Sequence, residues 1–582
     1  MRIIITDDEV RRTISLSTQK CYNPSMDTSQ FPAILLLSLI LTAVLTVIAS
    51  AFLLQQYRRT VIRSMSARAA HIPASPIEEK SPDGENPFPL EFSMINQSKL
   101  EPNPRYIKLK AAARKKIIIY TLAGMGYALT MSSAFFFANQ VEILPFRFIT
   151  TFWTYLLPLL FVLHQVAYYD PKQRRRFSAG YFLVYLLLIF FASVPDFGAM
   201  ANAFGLFWWI NFAPFILSIA FLNRHTKAVA PLIMSFIFFI VVGVILALVY
   251  GIEPLSILLL KNESWLVNTY IALVRTLHPT ALVPVSLLLL SVTGILLIGV
   301  FSVLLIRWLR RQYEQKKISD QSLLIDAIWL NFAIIHALLL SVDNFWWLFS
   351  GFGAFFLFKV ISISSFSFEK KKISHEKVPQ LLFLRVFSLG VKSQKLYQAL
   401  TAFWRLGGNT LFITGPDLLT STIEPHDFLD FLGKKLLQRF TNSEETLNRQ
   451  IEYMDLIPDL DGLYRTHDFF CYDNTWKMAL SRLTHESEVV VMDLRSFSAK
   501  NAGCTFEINA LMNTVPLEQV IFIFDQSTDK NYMTQIMTNA WQSLNPNSPN
   551  HASAGKIKLF SYGQEEKTEN LLQAITIAMS KT

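Results

Sequence analysis

The amino-acid sequence predicts a polytopic α-helical membrane protein followed by an α/β domain whose sheet is mainly parallel and doubly wound. Three observations support this prediction. Hydrophobic residues make up 52% of the 582 residues and charged residues only 16%, which is unusual for a soluble protein. Long apolar runs recur between residues 32 and 364. After residue 379, short apolar segments alternate with amphipathic ones, as in β–α units.

Nine apolar runs are long enough to cross the roughly 30 Å hydrocarbon core of a bilayer as helices. They span residues 32–54, 117–138, 148–169, 177–195, 203–222, 228–250, 279–306, 322–341 and 344–364. A tenth stretch, 252–277, is interrupted by a proline and by polar and charged side chains, so we expect an interfacial or re-entrant segment there. The length of the first run favours an uncleaved anchor over a signal peptide.

Every second loop between these runs is basic. The basic loops contain Arg58 to Lys116, Lys172 to Arg176, Arg224 and Lys227, Arg307 to Lys317, and Lys370 to Lys372. Basic loops face the cytoplasm in membrane proteins. We therefore expect a multi-pass protein of the bacterial inner membrane, with a periplasmic amino-terminal segment and a cytoplasmic carboxyl-terminal domain.

The predicted organisation has five parts. An amino-terminal segment, 1–31, precedes the first transmembrane helix, 32–54. Residues 55–116 are predicted to form a flexible cytoplasmic linker, because seven prolines lie between residues 71 and 105 and apolar content is low. An eight-helix transmembrane region, 117–369, follows. The α/β domain covers 379–582.

The charge distribution argues against a nucleic-acid partner. The whole chain carries a net charge of +10. Residues 379–582, however, contain 18 Lys and Arg against 22 Asp and Glu. The excess of basic residues therefore lies in the membrane half, where it marks topology. A nucleic-acid-binding domain would be expected to be basic.

The carboxyl-terminal domain shows an alternation of apolar strands and amphipathic helices. Strands are predicted at 381–387, 410–414, 489–494, 520–524 and 557–560. Helices are predicted at 394–406, 426–440, 476–484, 506–512, 530–541 and 571–579. Continuous apolar strands are typical of parallel sheets with both faces covered, so the pattern favours a doubly wound, flavodoxin-like fold.

Ligands of such sheets bind beyond the carboxyl ends of the strands. Polar side chains gather there, and they are the candidate ligand-binding residues: Arg385, Ser388, Asp417, Asp493, Arg495, Ser496 and Asp525. Arg385 or Arg495 could pair with a phosphate group. The alternative interpretation is that these residues cap helices and complete loops, since every α/β fold has polar strand ends.

The segment VVVMDLRSFSAKNAGCTFEINAL, residues 489–511, resembles Toll/interleukin-1 receptor (TIR) domains, in which a strand and a serine-rich loop lead into a helix opening with Cys and Glu. Cys504 precedes Glu507 by three residues, as in that pattern. In TIR domains that cleave NAD this glutamate is catalytic, so the resemblance implies a TIR-like sheet and makes Glu507 the matching catalytic candidate. The series FLRVF, GPD, MDLR and FE is also similar to uncharacterised bacterial multi-pass membrane proteins, which implies a shared architecture.

Glu507 has two interpretations. In a strand-end cleft, a carboxylate can hold ribose hydroxyls or stabilise an oxocarbenium ion. In the first turn of a helix, it can instead face solvent and interact with the helix dipole. Cys471, close to His467, is more simply a buried structural thiol. The sequence contains no phosphate loop and no HExxH or GxSxG motif, and we predict no metal site.

Polar residues inside the apolar runs could mark an ion path. Asp326 and Lys359 lie near the predicted cytoplasmic ends, and Asn211, Asn331 and His336 lie deeper. Hydrogen bonds between helices explain such residues more simply.

Three functions follow. The first is an inner-membrane protein that presents a TIR-like domain for signalling, with cytoplasmic proteins or a second copy as partners besides the lipid bilayer. The second is an enzyme that cleaves NAD or another nucleotide with Glu507, these nucleotides being the only ligands suggested. The third is a transporter or channel with a regulatory domain.

Overall fold

The computed structural model describes residues 30–65, 86–167, 170–193, 197–221, 265–277, 282–341, 344–370, 378–386, 391–414, 425–472, 474–551, 554–563 and 568–579, with scattered residues between 233 and 244. Ten helices in the first part of the chain have defined bounds. They are α1 (Gln30–Met65), α2 (Pro104–Asn139), α3 (Pro145–Tyr155), α4 (Leu157–Val166), α5 (Pro171–Ser193), α6 (Phe197–Phe221), α7 (Trp265–Leu277), α8 (Leu282–Glu314), α9 (Asp320–Leu340) and α10 (Leu348–Lys370).

Local sequence sets several of these helix ends. The Asn103 side chain accepts a hydrogen bond from the backbone N–H of Tyr106 and caps α2, whose first residue is a proline. Ser319 and Ser322 form a capping box at the start of α9. Helices α3 and α4 meet at a 43° bend, where Pro158 lacks the N–H that a continuous helix needs.

Four of the described helices are long and apolar enough to cross a membrane, namely α2, α6, α9 and α10, and the bent pair α3–α4 makes a fifth. Eight of the nine predicted apolar runs fall on helices α1 to α6 and α8 to α10. The run 228–250 and the first part of 252–277 lie almost entirely outside the described residues. The prediction of several apolar helices compatible with transmembrane segments is confirmed.

The helical bundle packs around buried aromatic rings. Helix α2 lies against α10, and α10 against α9. The Trp329 ring lies 4.7 Å from that of Tyr127 and 4.9 Å from that of Phe358, measured between centroids. Gly351 lets α10 approach α9 closely, because a Cβ there would lie 2.2 Å from the carbonyl oxygen of Ala333.

Eight parallel strands form one sheet. They are β1 (Leu90–Met94), β2 (Gln380–Arg385), β3 (Asn409–Thr414), β4 (Phe440–Thr441), β5 (Thr466–Cys471), β6 (Val489–Asp493), β7 (Val520–Phe524) and β8 (Gly555–Ser561). Their order is β1-β8-β7-β6-β2-β3-β5-β4. The five strands predicted from the sequence follow the 2-1-3-4-5 order of doubly wound sheets. The prediction of a parallel sheet is confirmed.

Helices cover both faces of the sheet. They are α11 (Val391–Trp404), α12 (Pro425–Leu432), α13 (Glu444–Glu452), α14 (Trp476–Glu486), α15 (Ala502–Thr514), α16 (Lys530–Gln542) and α17 (Thr568–Met579). One core lies between the sheet and α14, α15 and α16. The other contains α11, α17 and the first turns of α2, whose Tyr106, Leu109 and Ala113 are buried there. The same helix continues from Ile119 onward through the core of the bundle.

The predicted linker, 55–116, differs from the structure. Helix α1 continues to Met65, and the residues from Pro104 belong to α2. Between them, β1 pairs with β8 from Leu90 opposite Gly555 to Met94 opposite Leu559. The indole N–H of Trp541 donates to the carbonyl oxygen of Phe88 and holds the approach to this strand. Prolines therefore flank the strand without interrupting it.

Further elements differ from the sequence prediction, which also contains neither β4 nor α13. Strand β5 was not predicted, since its His467 and Asp468 interrupt the apolar pattern. The helix predicted at 426–440 ends at Leu432, and a short 3₁₀ turn leads into β4.

Candidate functional site

The carboxyl ends of β2 and β6 form the point at which the strand order reverses. From β2 the chain continues to β3 on one side, and from β6 to β7 on the other. Arg385 ends β2 opposite Asp493, the last residue of β6. Doubly wound sheets bind ligands at this point. The structure therefore brings Arg385, Asp493, Arg495 and Glu507 to one region, as the sequence predicts.

Asp493 and Arg495 form a buried, bidentate ion pair. The guanidinium donates from Nε to Oδ1 at 2.8 Å and from Nη2 to Oδ2 at 2.7 Å, and both side chains are buried. The Ser393 hydroxyl donates to the same carboxylate at 3.2 Å. Arg495 also lies over the Tyr562 ring, 5.1 Å from its centroid. The fork of Arg495 is thus occupied by Asp493, which favours a structural role for the pair.

Glu507 lies beside Arg385 in the second turn of α15 and is only 3% exposed. The expectation of a solvent-facing glutamate in a first turn is wrong, because α15 begins four residues before the predicted start at 506. Burial raises the pKa of Glu507 to about 8, although Arg385 and Cys504 oppose the shift. Its Oε2 has no hydrogen-bond partner among the described residues. At neutral pH this side chain is mainly a neutral acid.

Two of the other predicted site residues, Ser496 and Asp525, make contacts within the loops that follow β6 and β7. Ser496 has a left-handed backbone with φ of 58°, and its hydroxyl lies 2.8 Å from that of Ser527. Asp525 accepts a hydrogen bond from the backbone N–H of Ser527 at 2.9 Å. These contacts are those of turn-forming residues. Ser388 and Asp417 lie outside the described residues.

Cys471 ends β5 and is buried. Burial raises the pKa of its thiol to about 12. A thiol with this pKa stays protonated at neutral pH, so it is a poor nucleophile. The interpretation of Cys471 as a structural residue fits this environment.

A second polar cluster, missed by the sequence analysis, joins the sheet to the helical bundle. Lys116 Nζ lies 2.8 Å from Asp461 Oδ2, and each side chain is 3% exposed. The Ser319 hydroxyl donates to the same oxygen at 2.7 Å. Burial alone would raise the pKa of Asp461, but Lys116, Ser319 and the backbone N–H of Leu463 hold it below the ordinary value. The turn at residues 459–462 therefore contacts α2 through Lys116 and the start of α9 through Ser319.

Two arginines extend this junction. Arg405 lies 3.2 Å from Asp320, the first residue of α9. Arg465 pairs with Asp459 at 2.8 Å and stacks on Tyr313, with 3.8 Å from its guanidinium carbon to the ring centroid. Burial raises the pKa of Asp459 to about 6 despite Arg465.

Two adjoining cavities of about 340 and 400 Å³ open at this junction. Both are lined by Tyr313, Gln438, Arg439 and Arg465. Arg439 is paired with Asp427 and lies over the Phe470 ring. The arginine and aspartate residues that line these cavities lie between Arg310 and Asp468 in the chain, so no local sequence pattern links them.

Polar residues inside the bundle contact one another or the backbone. Lys359 Nζ lies 2.8 Å from Asp326. Asn331 donates to the carbonyl oxygen of Pro214 at 3.3 Å, and Asn211 donates to that of Thr154, in α3, at 3.3 Å. The Tyr127 hydroxyl lies 2.9 Å from Nδ1 of His336. These contacts join neighbouring helices, which favours packing over an ion path.

Three comparisons were made, with protein-family models, with curated proteins and with solved structures, and none of them finds a match for this chain.

Proposed function

We propose that this chain is a multi-pass protein of the bacterial inner membrane that presents its α/β domain to the cytoplasm for signalling or partner interaction. One observation carries the proposal. Helix α2 contributes Tyr106, Leu109 and Ala113 to the core of the α/β domain and Tyr120 and Tyr127 to the core of the bundle. A single helix thereby belongs to both cores, so a movement of the bundle displaces the domain.

The positions of the amino and carboxyl ends of the strands also support this proposal. Arg405, Asp461 and Arg465, which contact the bundle, directly precede β3 and β5. The amino ends of these parallel strands therefore face the helices. The carboxyl ends of the strands, with Arg385 and Asp493, lie at the opposite side of the sheet from the amino ends and point away from the helical bundle. A cytoplasmic partner can approach the domain from this side.

Site-specific labelling tests the topology. Gln526, exposed at the carboxyl-end edge, is replaced by cysteine in a chain that also carries Cys21→Ser, since Cys471 and Cys504 are buried. We expect a membrane-impermeant maleimide to label this site in inverted vesicles and not in intact spheroplasts. Labelling in spheroplasts would contradict the proposal.

Photo-crosslinking in cells tests the partner interaction. A benzophenone side chain at Gln526 is expected to give a discrete adduct. The same group at Arg482, exposed on α14, serves as the control and is expected to give none. Equal adduct yields at the two positions, or no adduct at either, would argue against a partner at the strand ends.

Cleavage of NAD by Glu507 is the second candidate function. It is favoured by the place of Glu507 beside Arg385 at the reversal point of the strand order. A carboxylate there can stabilise the oxocarbenium ion formed when the bond from ribose to nicotinamide breaks. Because the pKa of Glu507 is about 8, the active carboxylate would form as the pH rises through that value.

The test uses the full chain in nanodiscs with NAD between pH 6 and 9. The enzyme proposal expects nicotinamide release that increases with pH and is lost in Glu507→Gln. The matched control is Glu518→Gln, which changes an exposed glutamate of the same domain. Equal rates for the three proteins would exclude catalysis by Glu507.

A further inference from the structure

Apart from Phe88, Met94 and Ile107, which lie in or beside β1 and at the start of α2, the described part of the α/β domain exposes few large apolar side chains, and these lie on two neighbouring segments. Within the described part of residues 378–579, they are Leu432, Leu437, Tyr453, Leu456 and Ile457. Tyr453 is 79% exposed and Ile457 61%. Contiguous exposed apolar groups on an otherwise polar domain mark a contact surface.

Both segments are attached to the same end of the helical bundle. Arg310, near the end of α8, pairs with Asp430 at 3.0 Å, two residues before Leu432. Lys316, in the turn between α8 and α9, donates to the carbonyl oxygen of Ile457 at 2.6 Å. The two segments also line one cavity, through Gln438 on one side and Tyr453 on the other. They therefore form one continuous surface.

This surface lies at the level of the lipid headgroups in the proposed topology. The apolar run of α8 ends at residue 306, and Arg310 follows by four residues, or about 6 Å along a helix. The run of α9 begins at residue 322, and Lys316 precedes it by two turns or less. The exposed side chains are thus held beside the plane where the helices leave the membrane.

Basic residues are interleaved with the apolar ones in the first segment, whereas Glu452 and Asp455 lie in the second, where Asp455 pairs with Lys316 and Arg465. Lys434 and Lys435 lie between Leu432 and Leu437 and are exposed. Arg311 and Lys317, at the end of α8 and in the following turn, are also exposed. Apolar side chains together with lysine and arginine form the surfaces that insert shallowly into anionic leaflets. A tyrosine at the tip fits the same location, since aromatic rings favour the interface.

We propose that the interfacial patch, defined as Leu432, Lys434, Lys435, Leu437, Tyr453, Leu456 and Ile457, inserts into the cytoplasmic leaflet and binds anionic phospholipid. This inference rests on the proposed topology and adds a lipid contact made by the α/β domain itself. A second copy of the chain is the less favourable occupant. In a two-fold contact through this patch, Lys434 and Lys435 would face the same lysines of the other copy.

Spin labelling of the full chain tests the patch. Ile457→Cys and, as the control, Gln526→Cys are labelled in the Cys21→Ser chain and reconstituted in nanodiscs of phosphatidylcholine with phosphatidylglycerol. We expect the label at residue 457 to be accessible to oxygen and shielded from a water-soluble nickel reagent, and the label at 526 to be exposed to nickel. Equal nickel exposure at both sites would overturn the patch proposal.

Charge-reversal substitutions test whether the patch binds anionic lipid. Lys434→Glu with Lys435→Glu is expected to lower the ratio of lipid-inserted to water-exposed label at residue 457 roughly tenfold or more when phosphatidylglycerol is present. Lys395→Glu with Lys500→Glu changes two exposed lysines elsewhere in the domain and is expected to leave this ratio unchanged. Equal effects of the two pairs would overturn the role of anionic lipid.

Two outcomes separate this inference from the function on which it rests. Dipolar coupling between labels at residue 457 of two copies, retained in lipid-free amphipol, would assign the patch to self-association and overturn the lipid contact. Cytoplasmic labelling of Gln526→Cys in inverted vesicles, together with an aqueous label at 457, would remove the patch and leave the proposed topology in place.

Discussion

Lys116 and Asp461 form a buried ion pair across 345 residues of sequence, with 2.8 Å between Nζ and Oδ2. One partner lies in α2, which the bundle and the α/β domain share, and the other in the turn before β5. Removing one member of a buried pair leaves an uncompensated charge, whereas removing both leaves none. The stability of the junction should therefore fall when one of the two residues is replaced, and fall much less when both are replaced.

We predict that Lys116→Met destabilises the protein by about 3–5 kcal/mol and that Lys116→Met with Asp461→Leu recovers most of this loss. Thermal unfolding of the purified protein in detergent measures both changes. The control is Lys115→Met, since Lys115 pairs with Glu369 on the surface at 57% exposure, where a pair contributes about 1 kcal/mol or less. Equal effects of Lys115→Met and Lys116→Met would refute the role of burial.

The same pair predicts a pH dependence. The pKa of Asp461 lies below its ordinary value because of Lys116 and Ser319, despite burial. The stabilisation by the ionised carboxylate is therefore complete above the unfolded pKa of about 3.9 and is lost as pH falls through the lower, folded pKa. Unfolding midpoints of Asp461→Asn and the parent chain should converge only below that range. Convergence at pH 6 would contradict this prediction.

Glu507 predicts the opposite slope. Its folded pKa of about 8 exceeds the unfolded value, so its contribution to stability is complete below the unfolded pKa of about 4.3 and falls as pH rises to 8. The slope is at most about 1.4 kcal/mol per pH unit. Glu507→Gln should remove this slope from the free energy of unfolding, and Glu518→Gln should retain it. An unchanged slope in Glu507→Gln would show that another group titrates.

Close packing of α9 and α10 predicts different effects for two glycines of one helix. A Cβ at Gly351 would lie 2.2 Å from Ala333 O, whereas nothing lies within 4 Å of a Cβ at Gly353. Gly351→Ala should lower stability by about 1–3 kcal/mol through overpacking. Gly353→Ala should be neutral or raise stability by up to about 1 kcal/mol, since alanine favours helices. Midpoints of thermal unfolding in detergent distinguish the two, and equal shifts would argue against the helix contact.

Strand β1 predicts a protection pattern in hydrogen exchange. Its residues pair with β8, and Trp541 donates to Phe88 O at 2.7 Å. Ile95 donates its N–H to the carbonyl oxygen of Leu559, and in an edge strand only alternate amides face the partner. The amides of Glu91, Ser93 and Ile95 should therefore exchange slowly, and Trp541→Phe should accelerate them without affecting β2. Trp476→Phe, on the far helix α14, is the control. Fast exchange of these three amides in the parent chain would refute this pairing.

The sequence contains enough information for the elements that are locally consistent. Strand β7 is predicted at 520–524 and observed there, because its five residues are all apolar and buried. Strand β1 escapes prediction, since Leu90–Met94 is short and its partner lies more than 450 residues later. Local pattern carries no signal for pairing at that separation.

Some residues of the candidate site are likewise predictable from the sequence and others are not. Arg385 and Asp493 are predicted as strand-end residues and lie opposite each other, because parallel topology fixes where strand ends gather. The burial of Glu507 does not follow from the local sequence, since it depends on the packing of α15, whose buried face holds Glu507 together with Cys504 and Ile508. The Lys116–Asp461 pair is not predictable from the sequence. Lys116 alone indicates only membrane topology, and Asp461 alone indicates only a turn.

The pairing of β1 with β8 also determines which fragments of this protein can exist. Helices α2 to α10 lie in the chain between the first and second strands of one sheet, and α1 precedes the first strand. A fragment beginning at residue 379 would lose β1 and the first turns of α2. Its β8 would become an open edge, and Leu400, Phe403 and Met579 would lose part of their cover. Open edges and uncovered apolar faces promote aggregation, so we expect a fragment that begins at residue 379 to aggregate.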